Sequence, residues 1–310
     1  MKALLSYNFY WHRLNKELFP LVVREFLDNG ADRFVFTRDL VQQVLDDPEK
    51  EIFLRNICRK MGVNFVSMHG LCGKALDLNV PNPAERKELL KKHIRAMELA
   101  QRFGSQTYTV HVGAYYHCVE HVPLEILRDF ARNSLDILVP EAEKIGIVIA
   151  VENSFEPSNS VREVIDLVTP YLSSTAIGVC YDTGHANCIA AAPWKKMENY
   201  FPYVVDSWWE NGIVLEEHAL ETVKDQVVTC HMHDNSGYAD QHRMPGDGTV
   251  DWKTLIPKLK ACPRMLEFQT EVNMIHAVDG TSRASGIADG YSIRRMTDTF
   301  RNLMAESFPP

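Results

Sequence analysis

No apolar run in this 310-residue chain approaches the roughly 20 residues needed to cross a bilayer, so no membrane-spanning helix is expected. No export signal is expected either. One lysine precedes only Ala3, Leu4 and Leu5 before Ser6, too short an apolar stretch for a secretory leader. The seven cysteines are odd in number and contain no CxxC pair, so reduced thiols are expected, with Cys180, Cys230 and Cys262 as small buried hydrophobes. Positive charge is in deficit: 33 Lys and Arg stand against 41 Asp and Glu, a net charge of −8. That balance disfavours nonspecific binding to nucleic acid or to anionic membranes. No GxGxxG follows the first apolar run, which weakens a dinucleotide-binding reading, and no Gly-rich phosphate cradle is present. There is no short repeat, low-complexity tract or linker. These absences together predict one cytoplasmic domain over residues 1–310.

The 45% apolar and 24% charged residues are ordinary for a globular chain. Eight short runs rich in Val, Ile, Phe and Tyr read as strands: 3–9, 33–37, 63–69, 107–112, 147–151, 176–181, 226–232 and 265–272. Several are nearly continuous in apolar residues, as in parallel strands covered on both faces. Amphipathic stretches separate them. The clearest begins at Asn82-Pro83-Ala84-Glu85, with Asn82 as cap and Pro83 in the first turn, and runs to Arg102. Stretches 123–145 and 287–304 are also helical, and Gly62, Gly104 and Gly146 fall where helix C-caps are wanted. Eight βα units predict a closed (β/α)8 TIM barrel, with an open doubly wound sheet as the alternative. Two connections, 186–225 with Trp194, Trp208 and Trp209 and 273–290, are long enough for lids or an oligomer contact.

In such a barrel the chemistry gathers where the strands end. The third run ends at His69 and the fourth at His111. The fifth ends in Val151-Glu152-Asn153, the sixth in Cys180-Tyr181-Asp182-Thr183-Gly184-His185, and the seventh in His231-Met232-His233-Asp234. Asp240 and His242 follow, and the eighth run carries Glu267 and Glu271. Each residue alone has an ordinary reading: a satisfied histidine, a helix cap at Asp182, a turn at Asp234. Their recurrence on strands three to eight is the specific signal. Many titratable groups at buried strand ends are costly unless a cation compensates them. His12, His93, His117, His121, His218 and His276 read as mainly surface, and His233 as a pocket-lining residue that binds no metal.

The order VEN, CYDTGHA, HMHD and DQHRMPGDGTVDW, followed by a Glu on the eighth strand, resembles the xylose isomerase-like TIM barrels. This superfamily includes sugar isomerases and epimerases of the tagatose 3-epimerase type and the zinc-dependent AP endonucleases. The resemblance implies one divalent ion (Mn, Zn, Mg or Co) on Glu152, Asp182, His231 and Glu271, with Glu271 preferred to Glu267 because it lies nearer the strand end. It implies Glu152 and Glu271 as the catalytic pair, and His185, Arg243 and His69 as substrate contacts. The endonuclease side implies up to three zinc ions, with His69, His111, His185, Asp240 and His242 as additional ligands.

Three departures weigh against the endonuclease. The spacing from His231 to Asp240 is short. Leu71-Cys72-Gly73 after His69-Gly70 contains no aromatic residue, and no Arg/Lys-rich loop faces DNA. The expected function is therefore a metal-dependent isomerase or epimerase acting on a ketose or keto-polyol through an enediolate. A zinc phosphodiesterase is the alternative. A small sugar is the expected partner, without nucleic acid or membrane and with a homo-oligomer open.

Overall fold

The structure is a computed structural model that describes residues 3–201, 209, 212–274 and 291–305. Eight parallel strands form one sheet in the order β1-β8-β7-β6-β5-β4-β3-β2. They are β1 (Leu4–Ser6), β2 (Arg33–Phe36), β3 (Asn64–His69), β4 (Thr107–Val110), β5 (Val148–Glu152), β6 (Ile177–Asp182), β7 (Val227–Met232) and β8 (Glu267–Thr270). β1 and β2 are joined just past the end of β1: the Tyr7 amide donates to the Arg33 carbonyl and the Val35 amide to the Tyr7 carbonyl, each at 3.0 Å. The sheet thus curls into a (β/α)8 barrel, and all eight expected strands are present, several trimmed where the ladder stops before the apolar run does.

Helices alternate with the strands because their boundary residues require it. The helix Pro83–Phe103 begins on Asn82, whose Oδ1 accepts the Ala84 and Glu85 amides at 2.9 and 3.2 Å. It ends on Gly104 at φ +80°, a conformation that favours glycine. A helix spans Leu124–Ile145 and ends the same way on Gly146; another spans Ile293–Ala305. Among the described residues no helix is long and apolar enough to cross a membrane.

His93 departs from the surface reading. It is fully buried, with Nδ1 at 2.8 Å from the Tyr108 hydroxyl and Nε2 at 2.7 Å from the Leu76 carbonyl. His276 and most of the 273–290 connection lie outside the described residues, as does Trp208. Trp194 is exposed and packs edge-on against Tyr238, while Trp209 Nε1 donates to the Phe155 carbonyl at 3.1 Å.

One buried carboxylate fastens the loop after β7. Asp234 Oδ1 accepts the Asn235 and Val250 amides at 2.9 and 3.1 Å, and its Oδ2 accepts the Gly246 amide and Trp252 Nε1, both at 2.9 Å. Its backbone exchanges two further bonds with Arg243. The PGDGTVDW stretch is therefore a clasp that fixes the loop carrying Asp240 and His242. Asp234→Ala leaves buried donors without an acceptor, so a loss of about 2–4 kcal/mol is expected in urea denaturation.

The barrel interior below the rim is polar. Glu267 is fully buried; its Oε1 accepts the Thr107 hydroxyl from across the barrel and Gln269 Nε2 at 3.0 Å. Burial pushes its carboxyl up to about 7, against the opposing pull of Thr107, Gln269 and the charge on His231. Between the ordinary carboxylate range and about 7, the folded chain keeps a proton that the unfolded chain has released. Stability from this group therefore falls as pH rises through that window. Glu267→Gln keeps an acceptor and removes the titration. Urea denaturation at about pH 5 and about pH 8 should show a flatter profile, with a relative gain at the higher pH of about 3 kcal/mol at most.

Candidate metal centre

Strand alternation brings acids and imidazoles to one rim. Glu152 is the last residue of β5, Asp182 the last of β6 and His69 the last of β3; His231 is the penultimate residue of β7. His111 and Glu271 stand just past the ends of β4 and β8. One ligand atom each from Glu152, Asp182, His231 and Glu271 lies within 4.8 Å of the others. The focus is His231 Nδ1, at 3.0 Å from Glu152 Oε1, 3.0 Å from Glu271 Oε2 and 3.8 Å from Asp182 Oδ2. Glu271 is thus the eighth-strand acid at this rim, and Glu267 stands a layer lower.

Asp182 also caps the helix Thr183–Ile189, its Oδ1 accepting the His185 amide at 2.6 Å. The capping and rim readings hold together. His233 Nε2 reaches the same carboxylate, 3.0 Å from Oδ2. Gly184 permits that approach, because a Cβ there would sit 2.0 Å from the His233 ring.

Two further groups flank the centre. His185, His233, Asp240 and His242 converge within 4.8 Å on one side. His185 Nδ1 lies 3.0 Å from the Asn153 carbonyl, which orients the ring and leaves Nε2 3.5 Å from Asp240 Oδ2. His242 Nε2 lies 3.0 Å from Asp240 Oδ2, and its ring stacks on His233 with centroids 3.9 Å apart. The His242 backbone is held at φ +46°, a strained conformation for a residue with a Cβ, by Nδ1 on the Glu271 carbonyl at 2.7 Å and by the Asn273 amide on its own carbonyl at 2.9 Å. On the other side stand His69, Cys72 and His111.

The donor set suits a divalent ion. Nδ1 of His231 can carry only one proton, yet three carboxylates face it. Glu152 Oε2 and Glu271 Oε2 are buried atoms without a hydrogen-bond partner. Oε2 of Glu271 is nevertheless 3.0 Å from His231 Nδ1, and Oε2 of Glu152 is 2.9 Å from His111 Nε2. Close approach without hydrogen-bond alignment is what lone pairs aimed at a shared point produce. Neighbouring ligands about 2.1 Å from an octahedral ion stand about 3 Å apart. Without a cation the same groups compensate one another. Burial works to raise Glu152, but the charges on His231 and His111 hold it well below the usual carboxylate range. Burial alone would lower His185, and Asp182 and Asp240 raise it well above the imidazole range. His69, where burial dominates, is pushed down to about 4.

Two cavities open at this rim. One, of about 250 Å³, is lined by Tyr10, His12, Arg38, His69, His242 and Glu271 among others. The second, of about 390 Å³, includes Arg38, Lys74, Glu152, Phe155, His185 and Asp240. The two share Arg38, Cys72 and His111, so they are adjoining lobes of one cleft, with Glu271 lining the first and Glu152 the second. Arg243 lines neither; one of its guanidinium contacts is Nη1 to the Asp247 carbonyl at 3.3 Å. The sequence reading missed Arg38, Cys72 and the place of His233 within the flanking group. The signals for the last two were alternation along β7 and the three-residue step from His69.

A family model described as xylose isomerase-like TIM barrel matches residues 24–267. The uncharacterized protein y4fM of Sinorhizobium fredii is 29% identical over 177 residues, 56% of this chain and 48% of that protein. The uncharacterized protein MJ1311 of Methanocaldococcus jannaschii is 28% identical over 194 residues, 59% of this chain and 57% of that protein. The matches span about half the length of these curated relatives. Among solved structures, a D-tagatose 3-epimerase-like protein superposes with a TM-score of 0.70 at 16% identity, covering 98% of each chain. The 3-keto-D-glucoside 4-epimerase YcjR from E. coli superposes at 0.65 and 16% identity, covering 98% of this chain and 100% of that one. The IolI protein with a bound zinc atom gives 0.66 and 16%, covering 99% of each.

Proposed function

We propose, for a chain that belongs to the xylose isomerase-like TIM barrel family, that the rim centre holds a divalent ion and interconverts sugars. The reaction is isomerisation or epimerisation of a ketose or related keto-polyol. One observation carries this reading: Glu152 and Glu271 approach the same imidazole nitrogen at 3.0 Å from adjoining lobes of one cleft. Glu152, Asp182, His231 and Glu271 would hold the ion. When bound, it supplies electrophilic polarisation of adjacent carbonyl and hydroxyl oxygens.

The rest falls to the chain. One of the two glutamates takes the proton from the carbon beside the carbonyl, leaving an enediolate. The other returns a proton, from the opposite face when a stereocentre is inverted. His185, fixed on Asn153, presents Nε2 to a substrate oxygen, and His69 lines the first cavity. Arg38 lines both cavities and is better placed than Arg243 to hold a substrate oxygen. Phe155 offers an apolar wall beside His185, with ring centroids 5.6 Å apart. The test is a panel of ketoses and keto-inositols in deuterated water with each divalent metal. Turnover with deuterium appearing at the reacting carbon is expected. Turnover of none of them, or turnover without exchange, contradicts the reading.

The flanking groups favour a second reading. His69 and His111 beside Glu152, and His185, Asp240 and His242 beside Asp182, are enough donors for three ions. That supports a zinc phosphodiesterase. Cleavage of abasic-site DNA by protein carrying three zinc ions per chain would replace the sugar reading.

A further inference from the structure

The first lobe of the cleft holds polar groups that the proton transfer does not use. Arg38 opens the helix Arg38–Asp46, and Thr37 is its N-cap. The Thr37 hydroxyl makes no capping bond, and its buried Oγ1 has no hydrogen-bond partner among the described residues. The buried Nδ1 of His12 is unpartnered in the same way. Both residues line the lobe of about 250 Å³ together with Arg38 and Glu271. Asp39 links two of these groups: its Oδ1 accepts Arg38 Nε at 3.1 Å, and its Oδ2 lies 3.5 Å from His12 Nε2. Arg38 and Asp39 are each about half exposed, so water screens that pair. Arg38 Nη1 donates to the Cys72 sulfur at 3.6 Å, which leaves Nη2 without a hydrogen bond among the described residues. The two lobes differ in charge. The second carries Asp77, Glu156 and Asp240 besides Glu152, against Arg38 and Lys74, and repels an anion. The only acids lining the first, among the described residues, are Asp39 and the rim residue Glu271.

We propose that the first lobe binds a carboxylate carried by the substrate, so that the sugar taken is an acidic ketose, not a neutral one. Arg38 Nη2 and the Thr37 hydroxyl are the donors, and the start of the helix adds its partial positive charge. Burial holds His12 below the ordinary imidazole range, against the pull of Asp39. It is therefore a neutral partner for a hydroxyl beside the carboxylate. A phosphate fits less well, because no glycine lines the lobe to let backbone amides close around its oxygens. Glu271 belongs both to this lobe and to the rim group, so the acidic end of the sugar lies next to the reacting carbon. The proposal rests on the rim-centre reading for the reaction, though not for the binding of the carboxylate.

The test is titration calorimetry on the full chain, with and without added divalent ion, using gluconate, glucitol and glucitol 6-phosphate. None of the three has a keto or aldehyde group, so none reacts. Gluconate should bind about tenfold to a hundredfold more tightly than glucitol, the scale of a hydrogen bond to a charged group. The preference should be present without the ion. Arg38→Met should erase it, and Arg38→Lys, which keeps the charge without the planar fork, should keep part of it. In turnover, fructuronate should exceed fructose in kcat/KM by a similar factor. Equal affinities for gluconate and glucitol overturn the proposal, as does a preference that survives Arg38→Met. So does tighter binding of the phosphate than of gluconate. A preference seen only with the ion present assigns the carboxylate to the ion and overturns it too. Turnover of fructose with no gain for fructuronate overturns the proposal and leaves the rim-centre reading standing. An intact preference for gluconate with no turnover of either ketose does the reverse: the carboxylate site stands and the sugar chemistry falls.

Discussion

Glu152→Gln and Glu271→Gln should each lower kcat by about a thousandfold or more, the scale of losing a positioned acid or base. Glutamine keeps the size and hydrogen-bonding shape of the side chain but cannot accept a proton at the reacting carbon. Both carboxylates also stand in the proposed ligand set, so lost chemistry must be separated from lost metal. Elemental analysis of the same samples does this: a variant that still binds its ion and has lost turnover assigns the defect to proton transfer. The two variants should differ in the surviving half-reaction, because each leaves one face of the substrate with a working base. Glu152→Gln with bound metal and full turnover would contradict the mechanism.

Metal removal should have the second-largest effect. Chelation should abolish activity, and one divalent ion should restore it. Stability should follow, because an ion that binds only the folded chain stabilises it by about 4 kcal/mol at a thousandfold excess over its dissociation constant. Thermal melts should therefore shift upward on adding the effective ion. His231→Ala removes the nitrogen on which three carboxylates converge and leaves those anions buried together. This variant should lose both the shift and the activity. A melt shift of equal size in His231→Ala would move the binding site elsewhere.

The barrel could be read from the chain because its strands are continuous apolar runs and its helices carry their own end signals, as at Asn82 and Gly104. The rim was readable because alternation along a strand puts residues two apart on one face. That rule could not separate Glu267 from Glu271, which share a face; nearness to the C-terminal end of the strand favoured Glu271, and the structure places it in the rim group. The place of His233 depends on Gly184 of another strand's helix, where the missing Cβ makes room. The direction of Cys72 depends on Arg38, the first residue of the helix Arg38–Asp46 that follows β2. Alternation along β7 and the three-residue step from His69 point to these residues, but the contacts that seat them are long-range. His93 is different. It falls on the helical face of Leu89, Leu90 and Met97, all buried, so periodicity alone pointed inward. Its charge capacity obscured that signal, and the Tyr108 and Leu76 oxygens remove the cost of burying it.

The most direct test is equilibrium dialysis of metal-free protein against saturating manganese, zinc or magnesium, with the ions counted by elemental analysis. At least one ion per chain is expected in the wild type, with that ion lost in His231→Ala. A wild-type chain that comes out of all three dialyses empty would mean that the acids and imidazoles of the rim meet for some other reason.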